Sequence, residues 1–254
     1  MNELFSFKIH KGIGGFDMSV VWGIDTATTL DSSYLNCIES HYGKPGFVGR
    51  YLKTVPNYSE GLSAIEISFL HGSKVNLPIL LIWNSFNSTE VNTYAQGQSA
   101  ATAAIDYAYS TLGIPAGEGK AIFADLEESY PVSAKWLQGW ADTFFFYNPS
   151  GAPSPAYAPG VYANLEYGDF PSAFCTASAN DSNVSLTYIW ANKADATGEV
   201  TGPSSAPTSI SPINDLTCKA LIVGWQYGSV TGGNDCANPI DSDVWNPSYT
   251  GLLW

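Results

Sequence analysis

Short apolar runs of strand length alternate along the chain with stretches whose apolar residues recur every three or four positions. VVWGIDTA (20–27), GFVGRYL (46–52), KAIFADLE (120–127), APGVYANLE (158–166), LTYIWANKAD (186–195), ALIVGWQYG (220–228) and PIDSDVWNP (239–247) read as strands. LPILLIWNSF (77–86) is continuously apolar, as in a strand buried on both faces of a parallel sheet. Three helices are expected between them. Residues 59–74 start at a cap-like Ser59 and carry Leu62, Ile65, Phe69 and Leu70 at helical spacing. Residues 93–113 are Ala-rich and end at Gly113, with Pro115 beyond. Residues 133–148 place Trp136, Trp140 and Phe144 on one side.

About eight strands, most separated by a helix or room for one, predict an α/β fold: an irregular (β/α)8 TIM-like barrel. A doubly wound open sheet is the alternative, but no glycine-rich phosphate loop follows any strand. GIGGFD precedes a strand and reads as a plain turn. The Ser/Pro/Thr-rich segment 197–216 and the shorter 149–160 read as rim loops. With no internal repeat or linker, 1–254 is expected to be a single domain, 1–19 being an N-terminal extension.

Composition narrows the partners. Charged residues are only 13% of the 254, aromatics are 14%, and the net charge is -13. Such a surface repels phosphate backbones and anionic membranes. No nucleic-acid partner and no membrane insertion are expected, and the protein is expected to be a monomer. Cys37, Cys175, Cys218 and Cys236 lack zinc-site spacing and permit two disulfides or four thiols; a Cys175–Cys218 bridge would tie two late segments together. The first residues lack the apolar core of a signal peptide, yet the composition suits an extracellular or cell-wall-directed protein. Four glycosylation sequons begin at Asn57, Asn87, Asn180 and Asn183.

The strand ends carry the candidate chemistry. Residues i and i+2 of a strand share a face, so Asp125 and Glu127 would lie side by side, costly unless used. Strand ends elsewhere supply Asp25, Arg50, Tyr51, Trp83, Asn84, Tyr162, Asn164, Trp190, Asn192, Trp225, Gln226, Tyr227, Asp241 and Asp243, of which Asp25, Arg50, Trp83, Tyr162, Asn164, Trp190, Trp225, Gln226, Tyr227 and Asp241 are assigned to the site. Each has a bland reading: Trp as rim packing, Asp as a cap, Arg50 as the balance of a buried carboxylate. Together they have the makeup of a sugar cleft, with rings for pyranose faces and amides and acids for hydroxyls. Glycoside hydrolysis needs one protonated and one ionised carboxyl. Glu127 is assigned as the acid and Asp125 as the ionised partner, with Asp25 and Arg50 tuning them and Glu128 facing away. No metal and no cofactor is expected, and His10, His41 and His71 do not stand at strand ends. A non-catalytic glycan-binding or interaction module on the same barrel is the main alternative, since the same rim would serve binding alone. A chitinase-like barrel would want further acids where Ala121, Ile122 and Phe123 stand.

GFVGRYL, a helix with Glu66, LGIPAGEGKAIFADLE, GVYANLE and GWQYG resemble a bacterial glycoside-hydrolase-like domain of unknown function, domain family 1906. That family is similar to the glycoside hydrolase family 25 lysozymes. The resemblance implies an irregular barrel acting on a muramyl or related amino-sugar polymer. It implies that Asp125-Leu126-Glu127 matches the Asp-x-Glu of strand four, Asp25 the acid of strand one and Asp241 that of the last strand.

Overall fold

The computed structural model describes residues 19–117, 119–192, 200–229, 236 and 238–254. The GIGGFD turn, His10, residues 1–18 of the expected N-terminal extension, residues 193–195 of the sixth expected strand and 197–199 of the long loop lie outside the described residues. The order is β1 (Val21–Thr26), α1 (Ser32–His41), β2 (Val48–Tyr51), α2 (Ala64–Leu70), β3 (Ile79–Trp83), α3 (Tyr94–Asp106), β4 (Ala121–Leu126), α4 (Ala134–Phe146), β5 (Ala158–Asn164), α5 (Phe170–Asn180), α6 (Ser182–Ser185), β6 (Tyr188–Asn192), β7 (Leu221–Gly228) and β8 (Asp241–Trp245). The eight strands close into a barrel in chain order. All neighbours from β1 to β7 are parallel, but β8 is antiparallel to both β7 and β1. The expected all-parallel sheet is corrected there. A reversed strand can follow its neighbour through a simple turn, whereas a parallel one needs a crossover. The reversal matters for function: the start of β8, not its end, lies at the C-terminal mouth.

Period-two alternation sorts the strand residues into two cores. Ile79, Leu81, Ile122, Ala124, Val161 and Ile189 face outward to the helices, whereas Leu80, Ile82, Phe123, Tyr162, Trp190 and Trp245 fill the barrel. Two glycines make room for interior rings. A Cβ on Gly23 would stand 2.3 Å from the Phe47 ring, and one on Gly160 2.5 Å from the Phe123 ring. At the opposite end from the mouth, Leu252 and Leu253 join this core, and Trp254 exchanges two backbone hydrogen bonds with Ile79.

The helices start where short polar side chains accept backbone N–H groups: Asp31, Ser63, Thr93 and Ser133. Thr93 and Gln96 form a reciprocal capping box. α2 starts at Ser63 rather than Ser59, which instead bonds Asn84. Ile65, expected on its apolar face, is 84% exposed because Glu66 takes the buried position. The α4 rings behave as their spacing indicates, with Trp136 and Trp140 stacked 5.5 Å apart in the outer core. Disulfides Cys37–Cys236 and Cys175–Cys218 both form. The second anchors the irregular segment 200–220, whose Val200, Ala206, Ile210 and Leu216 pack on the outer core. No described helix is long and apolar enough to cross a membrane.

Candidate active site

Alternation decides which strand-end residues reach the mouth. Inward positions are Asp25 on β1, Tyr51 on β2, Asp125 on β4, Tyr162 and Asn164 on β5, and Gln226 on β7. Asp25 and Asp241 are direct cross-strand partners, so the reversed β8 brings Asp241 to the side of Asp25. A hydrogen-bonded chain links Tyr162, Gln226, Asp25 and Asp241. The Tyr162 hydroxyl donates to Gln226 Oε1 at 2.6 Å, and Gln226 Nε2 donates to Asp25 Oδ2 at 2.8 Å and Asp241 Oδ2 at 3.4 Å.

Asp125 is recessed, only 7% exposed, and accepts from the Tyr51 hydroxyl at 3.3 Å. Its buried Oδ1 has no hydrogen-bond partner among the described residues. Glu127 lies one residue past β4 and is exposed, as is Glu128, whose Oε2 accepts from Asn164 Nδ2 at 3.0 Å. Asp125, Glu127 and the side chains of Tyr58, Asn84, Phe86, Glu90 and Tyr130 line one cleft of about 670 Å³. A groove of about 730 Å³ between α3 and α4 lies on the outer face and contains none of these acids.

The acids are poorly compensated. Burial, and secondly the charge of Glu127, push the Asp125 carboxyl up to about 7, while its bond from Tyr51 opposes the rise. Partial burial and the charge of Glu128 also raise Glu127. Burial and then Asp241 raise Asp25 well above the usual carboxylate range. Asp243, fully buried, is raised by burial and then by Asp25. Asp25 and Asp243 meet carboxyl to carboxyl, a contact that holds with one proton between them, and Trp190 Nε1 donates to Asp243 Oδ1 at 2.9 Å.

Several expected ligand contacts have other places in the structure. Arg50 is 0% exposed on the outer side of β2. Its Nε and Nη2 donate to Glu66 at 2.6 and 3.2 Å, and its remaining bonds go to the Thr26 and Glu60 carbonyls. Alternation turns it away from the mouth, so it is the ion-pair partner of Glu66 and does not reach the cleft. Trp83 likewise points outward, buried against Tyr107. Tyr227 is buried on the outer side, its hydroxyl bonded by Trp22 Nε1. Trp225 is half-buried against the outer core and packs on Tyr227. Trp190 faces inward but is buried beneath Tyr162, 4.4 Å between ring centroids. Four of these five are buried, and Trp225 is half-buried on the outer side of β7.

Tyr51, Asn84 and Asp243 stand among the expected strand-end residues, but the sequence gives none of them a site role. The signal was available: Tyr51 and Asn84 stand one residue beyond Arg50 and Trp83, on the opposite face. The grouping of Cys37, His41 and Cys236 that could resemble a metal set has its two sulfurs consumed in a disulfide.

No protein-family model matches the chain, and no curated protein matches it. Among solved structures, an uncharacterized B. stearothermophilus protein is 32% identical, with 92% of this chain and 100% of that one covered and a TM-score of 0.79. GHIP, a glycosyl hydrolase 25 of Streptococcus pneumoniae, is 15% identical over 92% of each chain, with a TM-score of 0.50. The modular autolysin LytC of Streptococcus pneumoniae, solved with a synthetic peptidoglycan ligand, is 14% identical over 89% of this chain and 46% of that one, with a TM-score of 0.52. The two pneumococcal proteins share the fold with this chain. The identity and full coverage of the first comparison place this chain in one family with the B. stearothermophilus protein.

Proposed function

We propose that the protein is a glycoside hydrolase that cleaves a cell-wall amino-sugar polymer of the peptidoglycan type at Asp125 and Glu127. The observation that carries this reading is the acid pair itself: a recessed carboxyl pushed to about 7 beside an exposed one, both lining the same open cleft. Two coupled acids of this kind hold one proton between them near neutrality. When the proton is on Glu127, the charge that raises Asp125 is gone and Asp125 ionises more readily. Glu127, the accessible member, then donates to the leaving oxygen as the anomeric C–O bond breaks, Asp125 stabilises the positive charge that develops at the sugar, and a water adds to the anomeric carbon and returns a proton to Glu127. Asp25, Asp241 and Gln226 do not line this cleft; Asp25 lies near enough to feel the Asp125 charge, and Tyr162 fixes the Gln226 amide that bonds Asp25 and Asp241.

The shared barrel of a glycosyl hydrolase 25 and of an autolysin seen with a peptidoglycan ligand supports this substrate class. Two disulfides fit an oxidising compartment, outside the cytoplasm, where such a polymer lies. The test is incubation with purified peptidoglycan and chitin oligomers beside Glu127→Gln. New reducing ends from wild type and none from the variant support the assignment. Glycan binding without turnover in both proteins would replace it with a binding module.

A further inference from the structure

The cleft that holds Asp125 and Glu127 has one aromatic wall and an unbalanced charge. Tyr58 is 78% exposed on the loop after β2, where Asn57 adopts a positive φ of 69° and Val55 bridges Ser59. Phe86 is anchored 5.4 Å from the Trp136 ring and meets Tyr130 edge to face at 6.3 Å. Glu90 is held in place by the backbone N–H and side-chain amide of Asn87, at 3.0 and 2.6 Å. Among the described residues, the carboxyl groups of Glu90, Asp125 and Glu127 line this cleft, and no Lys, Arg or His does. The chain has only 10 Lys and Arg, and the nearby Arg50 is committed to Glu66. The buried Oδ1 of Asp125 adds an acceptor that lacks a donor.

A ligand that complements this wall must bring an apolar ring face for Tyr58 and positively charged N–H donors for the acids. A sugar carboxylate would meet the charges of Glu90 and of the Asp125–Glu127 pair with no counter-ion among the described lining residues. An N-acetylated sugar would stack but leave the acids uncompensated. We infer that the cleft takes an amino sugar with a free amine, its ring against Tyr58 and its ammonium toward Glu90 and Glu127, above the recessed Asp125. This rests on the glycosidase reading above and names its preferred sugar: a de-N-acetylated hexosamine next to the bond that is cut.

The experiment is a calorimetric titration of the full chain at pH 6 with hydrolysis-resistant, sulfur-linked oligomers of glucosamine and of N-acetylglucosamine of equal length. The glucosamine oligomer is expected to bind about tenfold more tightly at low salt, equivalent to about 1.4 kcal/mol. Added salt should shrink that advantage. Glu90→Gln should remove most of it, and Tyr58→Ala should weaken both oligomers. Equal or tighter binding of the N-acetylated oligomer overturns the inference. So does an advantage unchanged in both variants, which would mean general attraction to a protein of net charge -13. If neither oligomer binds while wild type still releases reducing ends from peptidoglycan, the inference falls and the glycosidase reading stands. If there is neither binding nor release, both fall.

Discussion

Asp125→Asn should stabilise the fold at neutral and alkaline pH and leave it nearly unchanged at pH 4. The variant keeps the shape of the side chain and an oxygen for the Tyr51 hydroxyl, and removes a carboxyl that the fold holds up from 3.8 to about 7. A raised carboxyl pKa means that the folded chain binds more protons than the unfolded one between the two values. Stability is therefore intact below about pH 4, falls as pH rises, and reaches its lower plateau above about pH 7. At about 1.36 kcal/mol per pH unit, the displacement corresponds to about 4 kcal/mol for the coupled pair. Water in the open cleft relieves part of this, so a gain of about 2–4 kcal/mol is expected at pH 8. For a chain near this size that is a rise in Tm of roughly 5–15 °C. Thermal unfolding of both proteins at pH 4, 6 and 8 measures it. The other raised acids titrate in both proteins and largely cancel in the difference. A Tm difference independent of pH, or a variant that loses ground as pH rises, would refute the reasoning that the Asp125 charge is held at a cost.

Three further outcomes follow from the same geometry. Glu127→Gln, at an exposed position, should lower any glycosidase rate by about 10²–10⁴-fold with little change in Tm, measured by reducing-end release and calorimetry. Arg50→Met should lower stability by about 3–5 kcal/mol in urea unfolding, because it strands the buried Glu66 carboxylate, and should leave the pH dependence of the Asp125 effect in place. Cys37→Ser with Cys236→Ser should lower stability by about 2–5 kcal/mol, since that bridge closes a loop spanning 199 positions, measured against wild type under oxidising conditions.

The barrel was legible because its strands are short, apolar and evenly interrupted, and because the helices carry their own start signals at Thr93 and Ser133. The direction of β8 was not, since PIDSDVWNP has the same apolar pattern whichever way it runs, and only its pairing with β1 settles the matter. The site divides along a sharper line. Asp125 was found by counting residues along one strand, and it is where that count puts it. Arg50 and Trp83 were chosen by chemical type, without counting, and both face the helices. The apolar neighbours carried the answer: inward Leu80 and Ile82 put Asn84 at the mouth, and Gly49 beneath Asp25 puts Tyr51 there. Asp243 stood beside Asp241 in the strand-eight sequence, but its burial inside the barrel, where a carboxylate is costly, was not legible there. Its presence depends on Trp190 and Asp25, contributed by two distant strands that a sequence does not show in contact. Acids that no described cation balances are what a functional site leaves behind, and here four of them, the buried Asp25, Asp125 and Asp243 and the exposed Glu127, carry raised proton affinities at one end of one barrel.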